Sequence, residues 1–485
     1  MEGQTIDETK KRSNWLIFTL VAIAQFMVVL DISITNVALP TIKHDLHFTN
    51  SSLQWVITAY ALTFGGFLLL GGRAADLFGR RRTLLIGMAA FTTFSLLIGL
   101  SHSDTELMVL RACQGSAAAL MSPSALSIVL TTFRDGPDRN RALAYWSLVA
   151  SGGAAIGLLL GGFLTQYAGW RWNFFINVPV GIIIVLAIFR IVPAHKASET
   201  EQRNLDLPGA VLITSSLILQ VLAFSKAPTW GWLSGSTLGL LGVALVLLLA
   251  FLFNEARLAK HPLMPLSILR IRNVVGANMI MAPMYATMLG MFFVITLYAQ
   301  TVLDYSPVRA GLAFLPFPIV LGFTATRIPK LVARYGFKRF LIIGPALVGI
   351  AMILFSRIPV HGSYVADLLP PILIMPMGIG LTFMPVFAAA TSGVPPHESG
   401  LASGLITTSQ QMGGALGLAV LSSIAASVTV SSVRLSRVGA LVHGFDRALL
   451  AAVAFMLFAI AVTIIVIRQV RRSTDDKPQA ETASA

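Results

Sequence analysis

Two ionisable residues in this chain stand where charge is expensive. Asp31 follows WLIFTLVAIAQFMVVL, a run that is apolar apart from Gln25. A charge at bilayer depth costs roughly 2.5 to 3.5 kcal/mol on insertion scales, so such a group marks a functional site by default. Burial raises a carboxylate's affinity for a proton and a neighbouring cation lowers it. A carboxylate balanced between the two can take a proton from one side and lose it to the other, and it can also attract a cationic substrate. Arg111, in LMVLRACQGSAAALM, is the basic counterpart. Arginine stays ionised when buried, so it needs a partner, and Asp31 is the natural one. Gln114 and Gly115, three and four residues on, share its helical face. The residue types leave two readings open: a proton-exchanging pair, or a fixed ion pair tying two helices together.

The elements that must carry these residues are membrane helices. Of 485 residues, 55% are hydrophobic and 12% charged, with a mean hydropathy of +0.78. Soluble domains carry about 25% charged residues, so the chain reads as an all-α integral membrane protein. A span needs about 20 apolar residues, and fourteen runs qualify: 14–38, 53–72, 83–100, 106–131, 143–166, 173–192, 208–226, 234–254, 274–300, 308–328, 338–357, 366–390, 399–426 and 445–468. No small-residue cleavage site follows the first run, which reads as a retained span. Asp31 lies about 25 Å along that span from Trp15, in the outer half of the bilayer, and is the only acid placed deep in a run.

The net charge of +14 raises the question of nucleic acid, and its distribution answers it. With the N-terminus in the cytoplasm, 26 of the 35 Lys and Arg fall on inner segments and 8 on outer ones. That is the positive-inside pattern for two cytoplasmic termini, so the charge is topological and no nucleic-acid partner is expected. The lone cysteine, Cys113, allows no internal disulfide. No phosphate-binding loop, zinc-spaced His/Cys cluster or nucleophile motif occurs, so neither an enzyme, an ATP-driven pump, a metal site nor a cofactor is expected.

GGRAADLFGRRRTLL, residues 71–85, has a weaker copy in RIPKLVARYGFKRFL, residues 327–341. Aligning Gly79 with Gly336 pairs Arg81 with Lys338 and Arg82 with Arg339, while Ala333 replaces Asp76. Repeated halves with a site between them are a transporter signature. The expected organisation is an N-terminal tail (1–13), a six-helix bundle (14–192), an inserted two-helix segment (193–258), a second six-helix bundle (259–470) and a disordered cytoplasmic tail (471–485).

Smaller patterns give candidate packing and binding residues. Gly153, Gly157 and Gly161, with Gly162 beside them, form a smooth stripe that admits a neighbouring helix closely, and Gly413 and Gly417 repeat it. Met281, Met284, Met288 and Met291 fall on one helical face. Methionine suits a surface that accepts many shapes, and it equally suits ordinary core. Candidate cavity lining comprises Asp31, Gln114, Met284, Met288, Phe292 and Gln411.

These motifs together resemble the major facilitator superfamily, specifically its fourteen-span drug:proton antiporters. LDISITNVALP is similar to the first-span motif of that family, Gly72 to Arg82 to its loop between spans 2 and 3, and Arg111-Ala112-Cys113-Gln114-Gly115 to its fourth-span motif. The span 5 glycines, WRWNFFINVPVG (170–181) and GLASGLITTSQQMGGALG (400–417) fit as well. Leu158 stands where the span 5 motif has proline, which leaves open whether that helix kinks. The resemblance implies two six-helix bundles plus two inserted helices, proton coupling through Asp31 and Arg111, and a conformational latch at Gly72, Asp76, Gly79 and Arg80. It implies a monomeric exporter of lipophilic cationic or neutral toxic compounds in a bacterial inner membrane, driven by the proton gradient. The alternatives are an exporter dedicated to one physiological compound, or a receptor or scaffold that does not transport.

Overall fold

The computed structural model describes residues 2–49, 52–133, 137–193, 206–259, 262–264, 266–394, 399–432 and 434–468. The expected tail 471–485 lies outside them. Among the described residues the secondary structure is helical throughout, with no strand. The chain runs through α1 (Glu2–Asp45), α2 (Trp55–Phe78), α3 (Arg80–Gly99), α4 (Asp104–Thr132) and α5 (Pro137–Tyr167). There follow α6 (Trp172–Phe175), α7 (Asn177–Ile191), α8 (Leu207–Trp230), α9 (Gly235–Phe253) and α10 (Arg272–Thr301). The last six are α11 (Pro307–Ala313), α12 (Pro316–Tyr335), α13 (Phe337–Phe355), α14 (Leu369–Thr391), α15 (Ser399–Ser431) and α16 (Arg437–Ile465).

Thirteen segments among the described residues are long and apolar enough to cross a membrane. The fourteenth expected span is α5, a 31-residue helix whose apolar stretch is Ala155–Tyr167. Every run read from the sequence therefore has its helix. The differences lie at ends and breaks. Helix α1 already begins at Glu2 and continues past Pro40 to Asp45. The sixth span breaks at Ile176, where Pro179 has no N–H to offer the Phe175 carbonyl. The tenth breaks between α11 and α12, where the Leu315 and Phe317 amides reach back only three residues and Pro316 and Pro318 supply no donor.

Gly79 alone joins α2 to α3, and Gly336 alone joins α12 to α13; both have positive φ, 94° and 76°. A side chain at that φ is disfavoured, so the two glycines aligned from sequence do the same backbone task at equivalent junctions.

Helices α1 to α7 pack among themselves, as do α10 to α16. The groups meet through α2 on α15, α5 on α11 and α12, and α1 on α10, while α8 packs on α9, α2 and α15. Helix α9 is the most exposed, with Leu238, Val243, Leu245, Val246 and Leu249 facing outward, as a lipid-facing helix should.

The small-residue stripes do the close packing. A Cβ on Gly157 would lie 2.7 Å from Ser33 Cβ, and one on Gly161 2.8 Å from Ile34 Cγ1, so α5 lies directly on α1. Gly413 and Gly417 admit Ala282 and Ala286 of α10 in the same way.

A buried charge network in the first helix group

Helix α1 delivers Asp31 and α4 delivers Arg111 to one point, where both are essentially fully buried. Arg111 Nη1 lies 2.5 Å from Asp31 Oδ2. The close approach of α2 and α4 that permits this depends on Gly115, whose Cβ would sit 2.3 Å from the Tyr60 carbonyl oxygen. Thr63 Oγ1 donates across the same seam to the Ala112 carbonyl at 2.7 Å.

The pair is held on every side. Arg111 Nε donates to the Val56 carbonyl at 2.9 Å and Nη1 also donates to Gln114 Oε1 at 2.6 Å. Gln114 Nε2 donates to Asp31 Oδ1 at 3.0 Å and to Ser95 Oγ of α3 at 2.7 Å. Asn177 Nδ2, at the start of α7, donates to the same Asp31 oxygen at 3.3 Å. The Tyr60 ring lies over the guanidinium at 4.5 Å and the Phe174 ring at 5.7 Å. Six helices thus converge on one ion pair. Two buried charges repay their desolvation only with such geometry and with their remaining lone pairs and protons bonded.

Beside the network, a cavity of about 10 Å³ lies between the two helix groups. Tyr60 and Arg111 line it from the first group, Tyr285 and Gln411 from the second, with Ile32, Ile57, Ala61 and Leu289 completing it. Gln411, chosen from sequence, is there; Gln114 is committed to the ion pair instead. Met284 is fully buried in the core of the second group, with Met281 and Met291, so the methionine stripe is packing at those positions. Met288 and Phe292 pack partly buried against that core, and the Phe292 ring lies 5.3 and 4.9 Å from the rings of Phe314 and Phe317.

At the α2–α3 junction Asp76, exposed, pairs with the half-buried Arg80 at 3.8 Å, a long contact that stabilises little by itself. Arg81 donates to the Phe189 carbonyl and lies over the Phe189 ring. Arg73 donates to the Pro262 carbonyl at 3.1 Å. Gly72 has room for a Cβ, its nearest neighbour being Pro123 at 3.7 Å, whereas Gly162 is pressed against Pro307 of α11.

Asp31 is the only acid deep in an apolar run among the described residues, but it is not the only buried one. Asp206 and Glu255 are both over nine-tenths buried. Asp206 caps α8 through the Gly209 amide and accepts from Asn254, while Glu255 accepts from the Met264 amide at 2.9 Å. Both sit at the edges of apolar runs, where sequence alone places an acid in solvent. Sequence reading also missed Tyr60, Ser95 and Asn177. Asn177 had a signal, being an amide inside an apolar span; Tyr60 and Ser95 had none.

Residues 21–418 match the Major Facilitator Superfamily. The chain belongs to that superfamily. It is 36% identical to the puromycin resistance protein pur8 of Streptomyces alboniger over 97% of this chain and 95% of the relative. It is 38% identical to the cephamycin export protein CmcT of Amycolatopsis lactamdurans, over 94% and 93%. A solved structure of an auto-inhibited POT family peptide transporter shares the fold, with a TM-score of 0.66 at 20% identity, covering 96% of this chain and 99% of that one. The chain is therefore a multi-pass membrane transporter of the drug-efflux branch, and not an enzyme.

Proposed function

We propose that this transporter exports lipophilic, cationic or neutral toxic compounds in exchange for protons, by alternating access between two six-helix halves, residues 14–192 and 259–470. In this reading residues 193–258 are an inserted helix pair, both termini are cytoplasmic, the monomer is the working unit, and the proton gradient replaces any cofactor. The observation that carries it is the fully buried Asp31–Arg111 pair. Protonation of Asp31 removes one charge of the pair and leaves Arg111 held by Val56, Gln114 and Tyr60, so the bond between α1 and α4 changes strength with each proton taken up or lost. Proton entry supplies about 2.3 kcal/mol per charge per 100 mV of membrane potential, with the pH difference added. The junction residues Gly72, Asp76, Gly79 and Arg80 act as a latch whose long, partly exposed Asp76–Arg80 contact is weak enough to make and break.

The names of the two relatives given above, each tied to one antibiotic, favour a second reading: export of a single dedicated compound. Dye efflux from proteoliposomes under an imposed pH gradient separates them. Wild type is expected to export both a cationic and a neutral dye, and Asp31→Asn neither. Loss of the cationic dye alone makes Asp31 a counter-charge for substrate and moves coupling elsewhere. Failure of wild type with both dyes, under any gradient, sinks the multidrug reading in favour of the dedicated one.

A further inference from the structure

Asp206 and Glu255 stand at the start of α8 and the end of α9, apart from the Asp31 network. Helix α9 ends in a single π-helical turn, Asn254–Leu258, a rare geometry that recurs at functional sites. Asn254 Nδ2 donates to both Asp206 oxygens, at 3.0 and 2.9 Å, and the Gly209 amide donates to Oδ1 at 2.9 Å. Glu255 Oε2 accepts from the Met264 amide at 2.9 Å, with the Leu263 amide beside it. Glu255 Oε1 has no hydrogen-bond partner among the described residues, although the residue is only 5% exposed. Buried polar atoms are almost always bonded, so this oxygen needs an explanation.

What faces it is the other carboxyl group. A Cβ on Gly209 would lie 2.5 Å from Asp206 Oδ2 and 2.8 Å from Glu255 Oε1, and the two carboxyl groups are within hydrogen-bonding reach. Ionised carboxylates only accept, and two buried like charges in contact repel. Either a proton or a metal cation must lie between them. The metal fits poorly, because N–H groups already point at Asp206 Oδ1 and Oδ2 and at Glu255 Oε2. The ionised group acting on Glu255 is Asp206. From α2, Arg73 is engaged with the Pro262 carbonyl, and Arg257 of the π turn is exposed.

We propose that Asp206 and Glu255 form a proton-binding site that holds one proton between Glu255 Oε1 and Asp206 Oδ2. In loading, a hydronium gives one proton to Glu255, leaving water and a carboxylic acid that donates to Asp206. Unloading returns the proton to water and leaves two carboxylates in contact. The proton fastens a strap, residues 262–264, which leads from the inserted pair toward α10. Glu255 holds its Met264 amide, Arg73 of α2 holds its Pro262 carbonyl, and Leu263 packs with Leu70 of α2 and Ala210 of α8. Without the proton, repulsion drives Glu255 away from Asp206 and breaks its hold on Met264. The reading above supplies the side of the membrane: these helix ends are cytoplasmic, so an alkaline cytoplasm loosens the strap.

Infrared spectra of the purified full-length protein in detergent read the proton directly, because a carboxylic acid and a carboxylate absorb separately. Wild type at neutral pH should show an acid band that Glu255→Gln and Asp206→Asn each remove. In either variant the new amide donates across the gap and the remaining carboxyl is ionised. The band should persist in Asp31→Asn and vanish from wild type at alkaline pH. Hydrogen exchange at the Leu263 and Met264 amides reads the strap. Between neutral and alkaline pH, wild-type protection, corrected for the intrinsic rate, should fall by about fivefold or more, as loss of one hydrogen bond implies. Protection in Glu255→Gln should stay within about twofold, since its amide keeps both contacts. A neutral-pH spectrum with no acid band that both variants remove overturns the proton site. A band that titrates while exchange stays constant overturns the strap. Neither readout needs transport, so failure of this proposal is distinct from failure of the proton-coupled reading.

Discussion

Arg111 shows why removing one member of the network differs from removing two. Truncation to alanine leaves the Asp31 carboxylate buried with only the Gln114 and Asn177 amides for company. Breaking a buried pair in this way costs about 3 to 5 kcal/mol, whereas neutral replacement of both partners is often tolerated. Arg111→Ala should therefore lower the melting temperature in detergent sharply, and the double variant Asp31→Asn, Arg111→Gln should recover most of it without recovering gradient-driven transport. Equal melting temperatures for Arg111→Ala and wild type would show that the pair does not hold the first helix group together. At this scale the sequence was informative where residue type clashes with surroundings. A charge in an apolar run announces itself, so Asp31, Arg111 and the amide of Gln114 were legible. Tyr60 and Ser95 were not, because both are unremarkable in a membrane helix and acquire a role only from the rotation of α2 and α3 about their axes.

Helix-level features divide in the same way. Existence and order of the fourteen spans follow from hydrophobic length, which the bilayer imposes directly. The breaks at Ile176 and between α11 and α12 were less legible, since proline within an apolar run is compatible with a continuous membrane helix when neighbours satisfy the freed carbonyls. Glycine stripes carry a sharper prediction. A Cβ on Gly161 would meet Ile34 side chain and backbone at 2.8 to 2.9 Å, while one on Gly152, nine residues earlier in α5, would meet nothing within 4 Å. Gly161→Ala should push α5 off α1 and cost about 1 to 3 kcal/mol by overpacking. Gly152→Ala should be neutral or gain up to about 1 kcal/mol from helix propensity. Thermal unfolding of the two single variants checks the contrast, and similar melting temperatures would mean that the α1–α5 seam yields easily.

At the scale of the whole molecule, the two helix groups meet along α2 and α15, from Gln54 on Ser422 to Leu69 on Gly404, and through a further set of contacts at the end away from the junction glycines Gly79 and Gly336. Gln300 of α10 donates to the Val37 carbonyl of α1 at 2.9 Å, and the Val308 amide of α11 donates to Gln166 of α5 at 3.3 Å. A Cβ on Gly162 would lie 2.6 Å from the Pro307 carbonyl oxygen, and one on Gly311 2.5 Å from that of Leu158. Apolar core is continuous across the same end, with Val37, Leu39, Ile42 and Leu158 in one cluster with Tyr298 and Phe314. Leu158 here is a contact between groups, whatever its effect on helix shape, a role invisible without the partner helix. An exchanger that exposes its site alternately must separate these surfaces once per cycle. With Cys113 replaced by serine, cysteines at Gln166 and Val308 joined by a short bismaleimide should hold this end shut. Ethidium efflux should then fall to the level of empty liposomes, while each single-cysteine variant treated alike keeps its rate. Full efflux from the cross-linked protein would mean that this seam never opens, and that substrate leaves by another route.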